Sequence, residues 1–334
     1  MRSVFSILVL VGLAGTGCEA ARRTTLAHGE ESSIIILAAD SVWAQVEDSV
    51  LATLEPRTFT VRDEKMFVAT WTSPFSEDWI TLRTFRQVLT IGVAGDGWVA
   101  PALDDSVPTP PAVVETPDVW ARDQLVTAVV LPPQNSAAAL MTLLPGLAAR
   151  FDARFRAYVQ QRMFMSDVNT ELRDSLRAEA GFSLLLPNIY RAYPKDSIWV
   201  FRNRAEVGSE LYRTIIVASR PGVLRSANVD TVLAWRDRIT PLVFEPQLTE
   251  RERVETKPLP EEGEGAMQVQ GIWRGADPTL PSAGPFVDRI VPCPAADRTY
   301  YLEGWLYAPA RRKYEYMIQL ETLLDSFECS PFTG

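Results

Sequence analysis

Apolar and polar positions divide the chain into alternating strand-like and helix-like stretches. The stretch "SIIILA" from Ser33 is an unbroken apolar run, as in a strand buried on both faces. Asp40 then opens a helical pattern in which Val42, Val46, Val50 and Leu54 recur every four residues beside Trp43 and Leu51, and Pro56 ends it. "TFTVRD" and "MFVATWTS" are strand-like, "SEDWITLRTF" is a short helix with acids in its first turn, and "QVLTIGVAG" is a further strand. From Pro101 to Pro117 five prolines and three acids break all periodicity, which predicts an exposed loop.

A helical region is expected next. "DVWARDQLVTAVVL" and "SAAALMTLLPGLAARFDARFRAYVQQRMF" flank Pro132 and Pro133, with Pro145 expected to kink or restart the second, and "NTELRDSLRAEAG" stops at Gly181. Beyond Gly181 the alternation resumes. Strands "FSLLLPNIYRAY", "SIWVFRN" and "ELYRTIIVAS" precede an amphipathic helix, "NVDTVLAWRDRITPLV", and a charged, proline-punctuated loop covers 245–265. Strands "AMQVQGIWRG", "FVDRIVPCP" and "TYYLEGWLYAP" and a last helix, "KYEYMIQLETLLDSF", complete the pattern.

These elements predict an α+β protein with two lobes of largely antiparallel sheet, helices on one face of each, joined by a helical middle segment. The expected boundaries are a signal peptide at 1–17, a lipidated tether at 18–32, an N-terminal lobe at 33–117, a helical segment at 118–180 and a C-terminal lobe at 181–334.

The leader follows from Arg2 and the apolar run Val4–Gly17, which is 14 residues long, shorter than the roughly 20 a spanning helix needs and weakened by three glycines. Gly17-Cys18 resembles the end of a bacterial lipoprotein leader, although Gly15 stands where a leucine is usual. Cys18 is therefore the expected lipidation site and mature N-terminus, placing the chain in the cell envelope on the periplasmic or cell-surface side. The membrane is then its first partner, through the N-terminal lipid.

Charge and residue counts narrow the chemistry. The net charge is −9, falling to about −10 when Arg2 leaves with the leader, and no basic block is present to neutralise phosphates, so nucleic acid is not an expected partner. His28 is the only histidine, which excludes a Ser-His-Asp or Cys-His nucleophile system and a His-rich zinc site in the folded part. No metal or cofactor is expected, and the acidic pairs Asp104-Asp105 and Glu261-Glu262 read as solvated loop charge. Cys293 and Cys329 are either bridged, as export would permit, or two separate thiols.

Two stretches carry candidate binding chemistry. In "TYYLEGWLYAP" strand alternation puts Tyr301, Glu303, Trp305 and Tyr307 on one face. That face either stacks a sugar or holds a cation, with Glu303 as a carboxylate of raised pKa, or it simply packs under a helix with Glu303 paired to an arginine. The last helix has Arg311, Arg312 and Lys313 at its start and Glu321, Asp325 and Glu328 toward its end, against the macrodipole. Its basic start either holds an anion or is neutralised by the acidic 245–264 stretch. The loop "GADPTLPSAGPFVD" lacks the lysine and glycine spacing of a phosphate loop and reads as fixed turns.

"GIWRG", "SAGPFVDR" and "EGWLYAPARRKYEYMIQLETLL", with "VWARDQL" and the leader, resemble an uncharacterised bacterial lipoprotein family, the domain of unknown function DUF4837, over nearly the whole mature chain. The chain departs from it at Ala283-Gly284, where the family has paired glycines, and at Arg86-Gln87, where it has Arg-Asn. The resemblance implies an exported, lipid-anchored protein and brings no activity. The expected function is non-catalytic binding or assembly in the envelope, with an envelope protein, a glycan or an anionic ligand as partner. The alternative is a glycan hydrolase or lyase, which requires a second acid within roughly 5 to 10 Å of Glu303 in an open cleft.

Overall fold

The computed structural model describes residues 25–103, 107–203 and 210–330. The leader, the lipidation site Cys18 and the acidic pair Asp104-Asp105 lie outside the described residues.

The N-terminal lobe is built on strands β1 (Ser33–Ala38), β4 (Val68–Thr72), β5 (Gln87–Gly92), β6 (Ala112–Pro117) and β7 (Leu125–Val130), in the order β4-β1-β5-β7-β6. Between them lie helix α1 (Asp40–Leu54), a two-residue ladder of β2 (Arg57–Thr58) with β3 (Glu64–Lys65), and the short helix α2 (Trp79–Leu82). Here the expected antiparallel pairing is corrected. β1 pairs parallel with β4 and β5, β5 pairs parallel with β7, and only β6 runs antiparallel. The helical connection through α1 returns the chain to the same end of the sheet, which makes parallel pairing possible.

Two stretches differ from the sequence reading. β6 forms inside the expected loop, and β7 replaces the expected helix around "LVTAVV". β7 is buried on both faces from Val126 to Val130 and so shows no alternation, while its valines favour a strand. α3 (Ser136–Met163) runs unbroken through Pro145. It does not join two lobes but packs with α1 on one face of the parallel sheet, where Trp43, Val46 and Val50 meet Leu140, Leu144, Leu147 and Phe151 over Ile34, Ile36, Leu89 and Ile91. The other face is covered by loops and α2, through Val99, Ala102, Trp79, Trp98 and Trp120. The part of the expected tether from 25 to 32 is docked rather than free: Ala27 is buried and its amide bonds to Arg122 O.

After α4 (Thr170–Ala180) the C-terminal lobe holds β8 (Phe182–Ser183), β9 (Tyr190–Lys195), β10 (Ile198–Asn203), β11 (Tyr212–Pro221), α5 (Val229–Ile239), β12 (Gln247–Pro258), β13 (Met267–Gly275), β14 (Ala283–Cys293), β15 (Arg298–Tyr307), α6 (Tyr314–Asp325) and β16 (Glu328–Cys329). Its seven-stranded sheet has the order β12-β13-β14-β15-β11-β10-β9 and is antiparallel throughout. β12 occupies the stretch expected to be a charged loop. It is an edge strand with a register shift between Thr249 and Val254, and charged residues suit such an edge.

Helices cover both faces of this sheet, not one. α5 lies over Ile216, Ile290 and Tyr301, and α6 lies over Val217, Val287 and Leu302. α6 also joins the lobes, since Met317, Leu320 and Leu324 enter the C-terminal core while Tyr314 and Ile318 enter the core between α1 and α3. A disulfide joins Cys293 at the end of β14 to Cys329 in β16, 36 residues on. Closing that loop stabilises the fold by about 3 to 4 kcal/mol in the chain-entropy picture.

Candidate functional site

β15 presents Tyr301, Glu303, Trp305 and Tyr307 on one face, as its alternation requires, but α5 covers that face. Tyr301 and Glu303 are fully buried, Trp305 nearly so, and Tyr307 is half-buried against Tyr212. Trp305 is stacked between Phe244 at 4.5 Å and Trp273 at 4.7 Å. The aromatic face is therefore the inside of the sheet and α5.

The sequence reading missed the two residues that complete this cluster. Arg236, in the buried stripe of α5 with Val232, Leu233 and Trp235, is 1% exposed and reaches Glu303 Oε1 at 3.3 Å. Asp288 lies directly opposite Glu303 on β14, is also fully buried, and stands 3.9 Å from Arg236 Nε. Tyr301 Oη donates to Glu303 Oε2 at 2.9 Å, and the guanidinium carbon of Arg236 lies 4.0 Å from the centre of the Phe286 ring. Two carboxylates thus share one cation in a site without water access.

Burial pushes both acids above the usual carboxylate range. The Asp288 carboxyl is pushed well up by burial and then by the charge of Glu303, which outweigh the pull of Arg236. Burial also raises Glu303, against the opposing pull of Arg236 and the Tyr301 hydroxyl. Glu303 has the closer cation and an accepted hydrogen bond, while neither Asp288 oxygen has a hydrogen-bond partner. Burial and the neighbouring charge therefore favour the protonated form more strongly at Asp288 than at Glu303. A signal for this was present in the sequence: an arginine in the apolar stripe of α5 and an aspartate inside the apolar run of β14 both require partners.

The basic start of α6 lies at the seam between the lobes. The Lys313 ammonium pairs with Glu64 Oε1 at 2.8 Å, and the Lys313 amide donates to Glu64 Oε2 at 2.6 Å. Arg312 donates to the carbonyls of Lys65 and Met66 and to Ser32 Oγ. The neutralising acids are thus Glu64 and, 3.8 Å from Arg312, Glu30, both before the C-terminal lobe, and not the 245–264 stretch. Glu64 adds a negative charge to that of Glu315, the acid in the helix's own first turn. The acidic end is answered in the same way, by Arg156 to Glu321 at 3.1 Å and Arg289 to Asp325 at 2.6 Å, while Glu328, expected near the helix end, lies beyond it in β16 and pairs with Arg177 at 2.7 Å.

What remains unneutralised is at the seam itself. A cavity of about 540 Å³ is lined by Arg62, Glu64, Arg311, Arg312 and Lys313, with Val61, Ala283 and the Pro309-Ala310 turn. Arg62 and Arg311 are exposed and make no ion pair among the described residues. The two candidate surfaces are therefore separate, one enclosed within the C-terminal lobe and one open between the lobes. Elsewhere, His28 is tilted against Phe85 at 4.4 Å, and among the described residues no group of three His, Cys, Asp or Glu could hold a metal. No helix among the described residues is long and apolar enough to cross a membrane.

Residues 169–326 match the model of a family described as Domain of unknown function (DUF4837). The resemblance read from the sequence holds for this segment, which is shorter than the near-complete coverage expected. No curated protein matches the chain. Among solved structures the chain is similar to the Ran-binding protein Mog1p of Saccharomyces cerevisiae, with 13% identity, a TM-score of 0.33, and coverage of 45% of this chain and 91% of that one. It is also similar to the cyanobacterial PsbP of Synechocystis sp. PCC 6803, with 13% identity, a TM-score of 0.32, and coverage of 45% and 88%. A Bacteroides thetaiotaomicron protein matches with 10% identity, a TM-score of 0.23, and coverage of 46% of each chain.

Proposed function

From a segment that matches a family without an assigned activity, we propose an exported, lipid-anchored envelope protein that binds an anionic ligand or partner and performs no chemistry of its own. Export and anchoring rest on the leader and on Cys18 as the acylated N-terminus, and the Cys293–Cys329 disulfide is in keeping with a compartment where such bonds persist. Binding rests on one observation: the cavity between the lobes is lined by four basic side chains and one acid, and Arg62 and Arg311 have their charges directed to no acid among the described residues. Arginine pairs with planar or tetrahedral oxyanions through two parallel hydrogen bonds, and a cavity of this size accommodates a phosphate, a carboxylate or an acidic side chain of a partner.

The hydrolase or lyase reading fails on its own requirement. Glu303 does have a second acid opposite it, but α5 closes the site, and a glycan ring has no way to reach either carboxylate. The binding reading is tested with inorganic phosphate and pyrophosphate as probes, by calorimetry on the full chain at low ionic strength. Saturable binding that weakens with salt is expected, and Arg62→Glu with Arg311→Glu is expected to weaken it about tenfold or more. Binding that does not saturate, or that the double variant retains, contradicts this reading.

A further inference from the structure

The place where the tether leaves the fold carries an inference about how the protein sits on its membrane, and it rests on the lipid anchor proposed above. Thr25 is seven residues beyond Cys18, and at 3.3 to 3.6 Å per extended residue that span reaches no more than about 25 Å. The exit itself is fixed. The Ala27 amide donates to Arg122 O at 2.8 Å and the Arg122 amide to Thr25 O at 2.9 Å. On the other side the His28 amide donates to Thr84 O and the Arg86 amide to His28 O. The tether is thus clamped between the turn at 79–86 and the turn at 118–124. Gln124 holds those two turns together, donating to Arg83 O and Phe85 O while accepting from the Trp120 amide.

These same segments expose apolar groups. Ile80 is 67% exposed and Leu26 is 54% exposed. Next to Ile80, Trp79 meets Trp120 edge to face at 5.1 Å, and both rings are half-buried. Apolar residues scattered singly over a surface need no explanation, but Leu26 and Ile80 lie on the tether and on the turn that clamps it, where a short lipid-anchored tether brings them near the bilayer. Tryptophan is the residue that favours the headgroup boundary, because its ring is amphipathic. Arg83, Arg86 and Arg122 are balanced there by Asp118, Asp123 and Glu31, the last 3.8 Å from Arg86, so the patch has no excess of positive charge for anionic lipid.

We infer that this end of the N-terminal lobe rests on the bilayer, with Leu26 and Ile80 entering the interfacial region and the half-buried Trp79–Trp120 pair at its boundary, as a second, protein-made contact beside the acyl anchor. The contact is apolar rather than electrostatic, and it orients the seam cavity relative to the membrane. The acyl chains supply retention, and such a contact adds orientation.

The test uses the full acylated chain floated with phosphatidylcholine vesicles, compared with the Leu26→Asp, Ile80→Asp double variant by hydrogen exchange. Both substitutions are at exposed positions, and exchange in α6 serves as the check that the fold is intact. On vesicles, amides of 79–86 and 118–124 are expected to exchange about tenfold more slowly in the native chain than in the variant, with α6 unchanged. An acylated, vesicle-bound chain whose two turns exchange equally in both proteins overturns this inference and leaves the anchor standing. Protection that appears without vesicles and grows with protein concentration assigns the patch to a second copy and also overturns it. A chain that carries no acyl mass and does not float overturns the anchor and this inference together.

Discussion

Replacing Arg236 with methionine is expected to destabilise the protein by about 3 to 5 kcal/mol near neutral pH, because it strands a buried negative charge. Arg236 is the cation within reach of Glu303 and Asp288, and all three side chains are excluded from solvent. Methionine fills a similar volume, so the loss reports charge and not a cavity. Adding Glu303→Gln with Asp288→Asn to the Arg236→Met chain is expected to restore much of the stability, since no buried charge is then left.

Asp288→Asn alone has the opposite sign. The Asp288 carboxyl ionises near pH 3.9 in an unfolded chain, and in the fold burial and the charge of Glu303 raise it. A raised folded value means that the folded state keeps a proton that the unfolded state releases. This group's contribution is therefore fully present below about pH 4 and is lost as pH rises toward the folded value. The neutral amide of the variant would mimic the protonated acid at every pH. The variant is expected to equal the native chain in acid and to exceed it by about 1 to 3 kcal/mol at pH 8, read from urea unfolding across that range.

Gly284→Ala is expected to cost about 3 kcal/mol or more, or to prevent folding altogether. A Cβ at Gly284 would lie 1.9 Å from the Leu306 carbonyl oxygen and 2.7 Å from Trp273 Nε1. Those two atoms are already joined by a hydrogen bond of 3.1 Å, and the carbonyl belongs to the next strand. Neither can withdraw without opening the centre of the sheet. At Gly271 the new Cβ would meet the ring of Phe286 at 2.3 Å, and a side chain can shift, so Gly271→Ala is expected to cost less, about 1 to 3 kcal/mol. Gly97 has nothing within 4 Å, and Gly97→Ala is expected to stay within about 0.5 kcal/mol. Thermal unfolding of the three variants should rank them Gly284, Gly271, Gly97.

α1, with one buried face, was legible through its Val42-Val46-Val50-Leu54 stripe, and β15 was placed correctly although both of its faces are buried, since its tyrosines and tryptophan favour a strand. β7 lacks any such signal because both of its faces are covered, and the apolar run that results fits a helix as well as a strand. β12 failed for the opposite reason. As an edge strand it is mostly exposed and charged, and a register shift interrupts its pattern. Parallel pairing in the N-terminal sheet is a property of how helices return the chain, and strand composition does not record it.

The site was legible in the same partial way. Alternation put Tyr301, Glu303, Trp305 and Tyr307 on one face, but what covers a face depends on tertiary packing, here α5 with Arg236. The reversed charges of α6 signalled that compensation was needed. Their source could not be read, because Glu64 lies 249 residues before Lys313 in the sequence and meets it only across the seam.

Mass spectrometry of the chain recovered from native membranes tests most directly whether these two lobes are held at a bilayer outside the cytosol. The expected result is a protein that begins at Cys18, carries acyl chains there, and retains the Cys293–Cys329 bond. A cytosolic protein that begins at Met1, with no acyl mass and both of those cysteines reduced, would contradict it.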